Sequence, residues 1–181
     1  MFVLLPLSQV GLPKDLDEKK GHIATVLEAA RAIGLQDNDA VVDVLVATVG
    51  ANPSAALECF ETISYCKDTL HLPTICGLSN ISFGMPQRIF VNTAFLNVAL
   101  SKGLTMAIAN PSQELLMYTA LATDLLLGKE WASERYLGTV PTTAMKMVGS
   151  KDVKADSQTK EEAHHPIFDC VVKGDKESII G

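Results

Sequence analysis

The sequence predicts an α/β fold of four parallel βα units. Short valine- and isoleucine-rich runs alternate regularly with longer stretches of helical period. The runs are apolar throughout rather than alternating, as in strands buried on both faces. Glycine or a polar cluster punctuates every boundary. The order β-α-β-α-β-α-β-α therefore implies a parallel sheet covered on both faces. Two architectures fit: an open doubly wound sheet and part of a (β/α)8 barrel. No GxGxxG follows the first strand, which weakens the dinucleotide-binding form of the former.

The elements follow in order. Phe2–Leu7 is the first apolar run, ended by SQVGLPKD. Asp17–Ile33 reads as a helix, with Ile23, Val26, Leu27, Ala30 and Ile33 on one face and Gly34 as its stop. Ala40–Val46, "AVVDVLV", is the second strand. Ser54 stands where a helix cap belongs, ahead of an inner stripe of Leu57, Phe60 and Ile63. Thr74–Ser79 is the third strand. Gln87–Lys102 is a helix with Val91, Ala94, Phe95 and Val98 inward, stopped at Gly103. Thr105–Ala109 is the fourth strand, and Ser112 is placed to cap a helix running to about Leu127.

After that the character changes. Residues 129–148 read as irregular structure with a short helix. Residues 149–165, GSKDVKADSQTKEEAHH, are polar enough for an exposed linker. Residues 166–181 restore an apolar rhythm that cannot form a core alone, as if opening a further domain.

Bulk properties narrow the function. A net charge of −6 lacks the basic face that nucleic-acid binding needs. No apolar run is long enough to span a bilayer, so no membrane is expected. The N-terminus has no basic n-region, which makes the cytoplasm the default. Cys59, Cys66, Cys76 and Cys170 have no CxxC spacing, and His164-His165 has no partner at helical spacing. No metal site follows, and the cysteines read as small buried hydrophobes.

The polar residues at strand ends are the candidates for chemistry. Asp43 follows two valines in the second strand. It either caps a loop, pairs with a cation, or offers a carboxylate to a flat amino-amide heterocycle. Asn80, at the end of the third strand, is either a turn residue or a carboxamide on a pocket floor. Gly77 and Ser79 fit both readings, and Gly77 would let a ring lie close to the backbone. Arg88 is either a solvated charge or a ligand contact. Lys14, Asp15 and the Asn110-Pro111-Ser112 turn are weak signals alone. Phe83, Met85 and Phe90 fit core packing better than a ligand wall.

Taken together, LLPLSQVGLPKD, AVVDVLV, ICGLSNISFGMPQRIFVNTAFLNVAL and GLTMAIANPS resemble, in order and spacing, one family. It is the pterin-binding domain of cobalamin-dependent methionine synthase and of methyltetrahydrofolate:corrinoid methyltransferases. The resemblance runs from about residue 2 to 127, and GLSNISFG with the downstream Arg and Asn-x-x-Phe is its most diagnostic part. HPIFDCVVKGDKESIIG also resembles the start of the helical cap module before the cobalamin domain.

The resemblance implies a (β/α)8 TIM barrel of which residues 1–148 supply the C-terminal half. The N-terminal half barrel, with an Asp and an Asn that also hold the pterin, is missing, so Met1 is expected to be internal or the reading frame truncated. It implies that Asp43 holds the pterin ring and that Asn80, as the catalytic residue, sits beside N5 of 5-methyltetrahydrofolate. Gly77 and Ser79 would line the pocket, Arg88 would stand near it, and Phe83 follows the methionine-synthase variant. The methyl group would pass to a cob(I)alamin or other corrinoid carried by a separate module, in cis or in trans. A tertiary amine leaves badly, so hydrogen-bond donation to N5 would assist departure of the methyl group. The alternatives are an inactive fragment and a dihydropteroate-synthase-like barrel. The linker, and the lack of the Lys and Arg–His pattern of such synthases, disfavour the latter.

Overall fold

The computed structural model describes residues 1–9 and 11–141. The expected linker at 149–165 and the expected cap start at 166–181 lie outside the described residues.

The sheet has four parallel strands in the order β1-β2-β3-β4. They are β1 Phe2–Leu4, β2 Ala40–Asp43, β3 Thr74–Gly77 and β4 Met106–Ile108. Helices α1 Leu16–Ala32, α2 Ala55–Tyr65, α3 Arg88–Lys102 and α4 Glu114–Leu126 follow them in turn, and a short α5 spans Ala132–Thr139. This strictly sequential order decides between the two architectures. A doubly wound sheet reverses its strand order at a switch point. With right-handed crossovers, an order that never reverses puts every helix on the same face. The chain is four βα units of a barrel-type sheet.

The packing agrees. Leu4, Ala40 and Val42 pack with Ile23 and Leu27 of α1. Val44, Cys76 and Leu78 pack with Cys59 and Ile63 of α2, Phe95, Leu96 and Ala99 of α3, and Leu116 of α4. Side chains alternate along a strand, and paired residues of parallel strands share a face. The register Val3↔Val41, Asp43↔Ile75 and Gly77↔Ile108 therefore sets Val3, Val41, Asp43, Ile75, Gly77 and Ile108 on the opposite face. Among the described residues these side chains are not in the clusters that pack against α1–α4, contrary to the two-sided helix cover expected from the apolar strands, although Val41 is only 3% exposed. Ile108 is 65% exposed there. The strands are apolar throughout because a barrel buries one side under helices and turns the other toward its own interior.

Several boundaries differ from the periodic reading, each for a local reason. α1 starts at Leu16 rather than Asp17 because Asp15 caps it, its Oδ1 accepting the Glu18 N–H at 2.9 Å. Ile33 is exposed because it lies at the C-cap, past the last helical turn. β2 stops at Asp43 rather than Val46 because the Asp43 carboxylate takes the Leu45 N–H at 2.8 Å and Leu45 turns left-handed. β3 stops at Gly77 rather than Ser79, and Leu78–Ser82 coils into a 3-10 turn.

The inner face of α2 is Ala55, Cys59, Thr62 and Ile63, while Leu57 points outward. In α3 the buried residues are Asn92, Thr93, Phe95, Leu96 and Ala99, and Ala94 and Val98 are exposed. The expected stripe was off because two polar residues share the buried face of α3. Ser54 and Ser112 make no side-chain cap. Instead Asn52 Oδ1 accepts the Ser54 N–H and Asn110 Oδ1 accepts the Ser112 N–H.

Candidate functional site

The end of β2 is built by Asp43. Its Oδ1 is engaged by the Leu45 N–H, and this bends the chain away from the sheet. The Val44 carbonyl beside the bend accepts from Lys19 Nζ at 3.2 Å, anchoring α1 to the same end. Asp43 is half-buried, and its second oxygen has no hydrogen-bond partner among the described residues.

The end of β3 is built by the Leu78–Ser82 turn. Asn80 accepts the Phe83 N–H on its backbone carbonyl at 3.1 Å, which closes the turn. Its side chain is exposed and folds back over Gly77. A Cβ on Gly77 would lie 3.3 Å from Asn80 Nδ2 and 3.9 Å from its Cγ. Gly77 is two residues beyond Ile75, the register partner of Asp43. The missing Cβ therefore points to the face that carries Asp43, and the Asn80 carboxamide occupies the space above it. Strand spacing and rise put the Asp43 and Gly77 backbones roughly 8 Å apart. A carboxylate and a carboxamide thus stand on the same face, at adjacent strand tips.

Two ties hold the arrangement. Thr48 Oγ1 donates to the Phe83 carbonyl at 2.7 Å and the Val49 N–H donates to the Ile81 carbonyl at 3.0 Å. They lock the loop after Asp43 onto the turn that carries Asn80. Arg88, the first residue of α3, donates from Nε to Ser82 Oγ at 3.0 Å and from one Nη to the Ser79 carbonyl at 2.5 Å. It clamps the turn from behind.

Residues 15–110, more than half of the chain, match the family described as Pterin binding enzyme. The chain belongs to the pterin-binding enzymes. It is also similar to Methylcorrinoid:tetrahydrofolate methyltransferase of Eubacterium limosum, at 27% identity over 138 residues. That alignment covers 75% of this chain and 50% of the relative, so the chain spans about half the length of the relative it matches.

In this pterin-binding chain the remaining candidates divide clearly. Gly77, Ser79, Asn80 and Arg88 are brought together by one turn, and Asp43 joins them from the next strand. Lys14 and Asp15 belong to the start of α1, where the Lys14 N–H donates to Glu18 Oε2 and Asp15 caps. Phe83 and Phe90 are not core residues. Phe83 is 69% exposed just past Asn80, and Phe90 also faces out. Phe83 ends the Leu78–Ser82 turn, and Phe90 lies on the outer side of the first turn of α3. The buried cysteines are packing groups: burial pushes the thiols of Cys59 and Cys66 up to about 11 and that of Cys76 up to about 12. They are neutral at physiological pH and unsuited to nucleophilic work. Cys170 and the His164-His165 pair lie outside the described residues.

A polar cleft of about 230 Å³ adjoins the turn, with Ser79, Arg88, Asn92, Asn110 and Gln113 on its walls and Leu78 and Ala109 as its apolar part. The residue periodicity gave no sign of it, although Asn92 opens the Asn-x-x-Phe motif. A second cleft lies around Arg31, Gln36 and Asp37, ahead of β2. It is at the wrong end of the strands for a barrel site, and Arg31 is already paired with Asp37 at 2.7 Å. Among the described residues, no group of three or more His, Cys, Asp and Glu is placed to hold a metal, and no helix is long and apolar enough to cross a membrane.

Proposed function

We propose that this chain is the folate-binding part of a methyltransferase that moves the methyl group of 5-methyltetrahydrofolate to a corrinoid. The observation that carries the reading is the shared face of Asp43 and Asn80 at adjacent strand tips. Membership of the pterin-binding enzymes and similarity to a methylcorrinoid:tetrahydrofolate methyltransferase support it. The relative is named for the opposite direction of transfer, and a pocket that stabilises one transition state serves both directions.

Asp43 would accept hydrogen bonds from the amino-amide edge of the pterin through its available oxygen. The Leu45 N–H bond to the other oxygen holds the carboxylate in place, so the ring edge meets a fixed acceptor. Asn80 would donate from Nδ2 toward N5 on the same face. A carboxamide both donates and accepts, so it can follow N5 as its charge changes during transfer. Gly77 keeps the strand flat under the ring, and Ser79 lines the pocket beside it. Arg88 would hold the turn that presents Asn80. Phe83, exposed past Asn80, would supply an apolar wall that keeps water from N5. The corrinoid, when bound, supplies the metal centre that takes the methyl group. The exposed rim around Asn80 is compatible with the approach of a large cofactor on another module. The rest of the pterin pocket would come from an N-terminal half barrel, and residues 149–165 and 166–181 would lead into the cobalamin cap.

The test is Asn80→Ala in the enzyme that contains this chain. Methyl transfer from 5-methyltetrahydrofolate to cob(I)alamin should fall by about a hundred-fold, the size of effect seen when one transition-state donor is removed. Folate affinity should fall by no more than a few-fold. Unchanged turnover would remove Asn80 from the reaction.

A further inference from the structure

The cleft beside the Leu78–Ser82 turn adjoins the ring site at Ser79, and Asn92, Asn110 and Gln113 on its walls are polar groups that the ring reading leaves unused. Asn92, in the second turn of α3, is only 5% exposed and lines this cleft. Its Oδ1 is buried without a hydrogen-bond partner. Leaving such an acceptor unsatisfied costs about 1–3 kcal/mol, so native structures keep one only with a reason. The other polar walls are donors. Arg88 engages Nε and one Nη, which leaves its second Nη unengaged among the described residues. Asn110 engages its oxygen on the Ser112 N–H, which leaves its amide nitrogen. Gln113 heads α4 without a side-chain cap bond. No carboxylate lines the cleft. The site therefore combines one deep amide with a cationic and amide rim.

That combination suits a carboxylate joined to a secondary amide. The amide N–H would meet Asn92 Oδ1, and the carboxylate would meet Arg88, Asn110 and Gln113. A peptide-type amide also fits Asn92 turned by half a revolution, since it offers both a donor and an acceptor. We propose that this cleft binds the amide-linked glutamate tail of the folate. The inference rests on the folate reading above: Ser79 lines this cleft and is next to Asn80 in the chain, so a ring at Asn80 and a tail in the cleft would adjoin.

The experiment is calorimetric titration of the enzyme that contains this chain with 5-methyltetrahydrofolate and with a tail-free 5-methyltetrahydropterin. The tailed ligand should bind about ten-fold tighter, the equivalent of one charge-assisted bond beyond the ring contacts. Gln113→Ala, at a half-exposed position, should reduce that ratio, and Asn92→Leu should abolish it. Asn92→Leu also removes an unsatisfied buried oxygen, so its Tm should not fall. p-Aminobenzoylglutamate, which carries the amide and the carboxylates without the ring, should shift the Asn92 side-chain amide signals in NMR, and p-aminobenzoate should not. Equal affinities for the two pterins, in a chain that binds both, would overturn the tail site and leave the ring site standing. Failure to bind either pterin would overturn both. A lowered Tm in Asn92→Leu would show that Asn92 has a structural partner and would overturn its role as ligand acceptor.

Discussion

Gly77→Ala probes the site with little disturbance of the fold. Gly77 has φ −78° and ψ 91°, a conformation any L-residue adopts, so alanine meets no backbone strain. What it meets is Asn80: the new Cβ would lie 3.3 Å from Nδ2, a few tenths of an ångström inside comfortable contact. Asn80 is exposed, and its side chain has no hydrogen bond among the described residues, so it can retreat. The stability cost is then small and is offset by the lower entropy of an unfolded alanine, worth about 0.4–1 kcal/mol. The catalytic cost is larger. A displacement of 1 Å can reduce a rate by about a hundred-fold, so a few tenths should reduce it by roughly four-fold. The assay is methyl transfer from 5-methyltetrahydrofolate to cob(I)alamin, read beside thermal unfolding of the same preparation. The expected result is a roughly four-fold slower transfer at unchanged or slightly raised Tm. An unchanged rate, or a loss explained by a matching loss of folded protein, would refute the placement of Asn80 over Gly77.

Arg88→Met removes the bonds to Ser82 Oγ and the Ser79 carbonyl. Steady-state kinetics should show kcat falling while KM changes little, and Arg88→Lys should not restore kcat because an ammonium lacks the guanidinium fork. The buried thiols predict an alkaline weakness. Burial raises Cys59, Cys66 and Cys76 from 9.0 to about 11, 11 and 12, so the unfolded chain loses these protons first. Stability is therefore complete below pH 9 and declines between pH 9 and 11, by on the order of 1 kcal/mol per thiol per pH unit. Urea midpoints measured across that range should show a steeper decline in the native chain than in the triple Cys→Ala variant, and equal slopes would disprove the assignment. The sheet face that carries Val3 and Ile108, with β1 and β4 as edge strands among the described residues, predicts self-association of the chain, and a monodisperse monomer in light scattering would contradict it.

Much of the fold was legible because strands and helices announce themselves by period. All four strands were visible as valine- or isoleucine-rich runs, and Gly34, Gly103 and Gly128 mark helix ends with left-handed backbone. Even the Asp15 cap was present as Asp-x-x-Glu, a capping-box spacing that the apolar periodicity overshadowed. The misreadings share a cause. A period counts hydrophobic residues, but α3 buries Asn92 and Thr93, so its inner face was set one step away from its true position. A strand likewise looks as long as its apolar run, while Asp43 and Asn80 end theirs by bonding to backbone a few residues on. Both side chains were singled out as turn formers or ligand groups, and geometry makes Asp43 a turn former with one oxygen to spare. The cleft beside Asn80 depends on residues from β3, α3 and the β4–α4 loop, which no local pattern connects.

The two faces of the sheet divide the chain's physical tasks. The face toward the helices carries Leu4, Val42, Val44, Cys76 and Leu78, and there nearly every side chain is apolar and fully packed. Substitutions on it act through stability. The other face carries Asp43 and the bare Gly77, and the half-buried and exposed groups around them are tied by hydrogen bonds to backbone and to Ser82 Oγ. Such bonds hold a side chain in place without enclosing it, which is what a pocket open at its mouth requires. The polar interruption of α3 fits the same division. Asn92 and Thr93 lie in the second turn, the part of the helix nearest the strand tips, and Phe95, Leu96 and Ala99 resume the apolar face one turn later. A helix that needed only to cover the sheet would be apolar along its whole inner side. Asn97, further along α3, also buries its Oδ1 without a hydrogen-bond partner among the described residues, so the helix carries polar groups beyond what covering the sheet requires, and of these Asn92 is the one that lines the cleft beside Ser79 and Arg88.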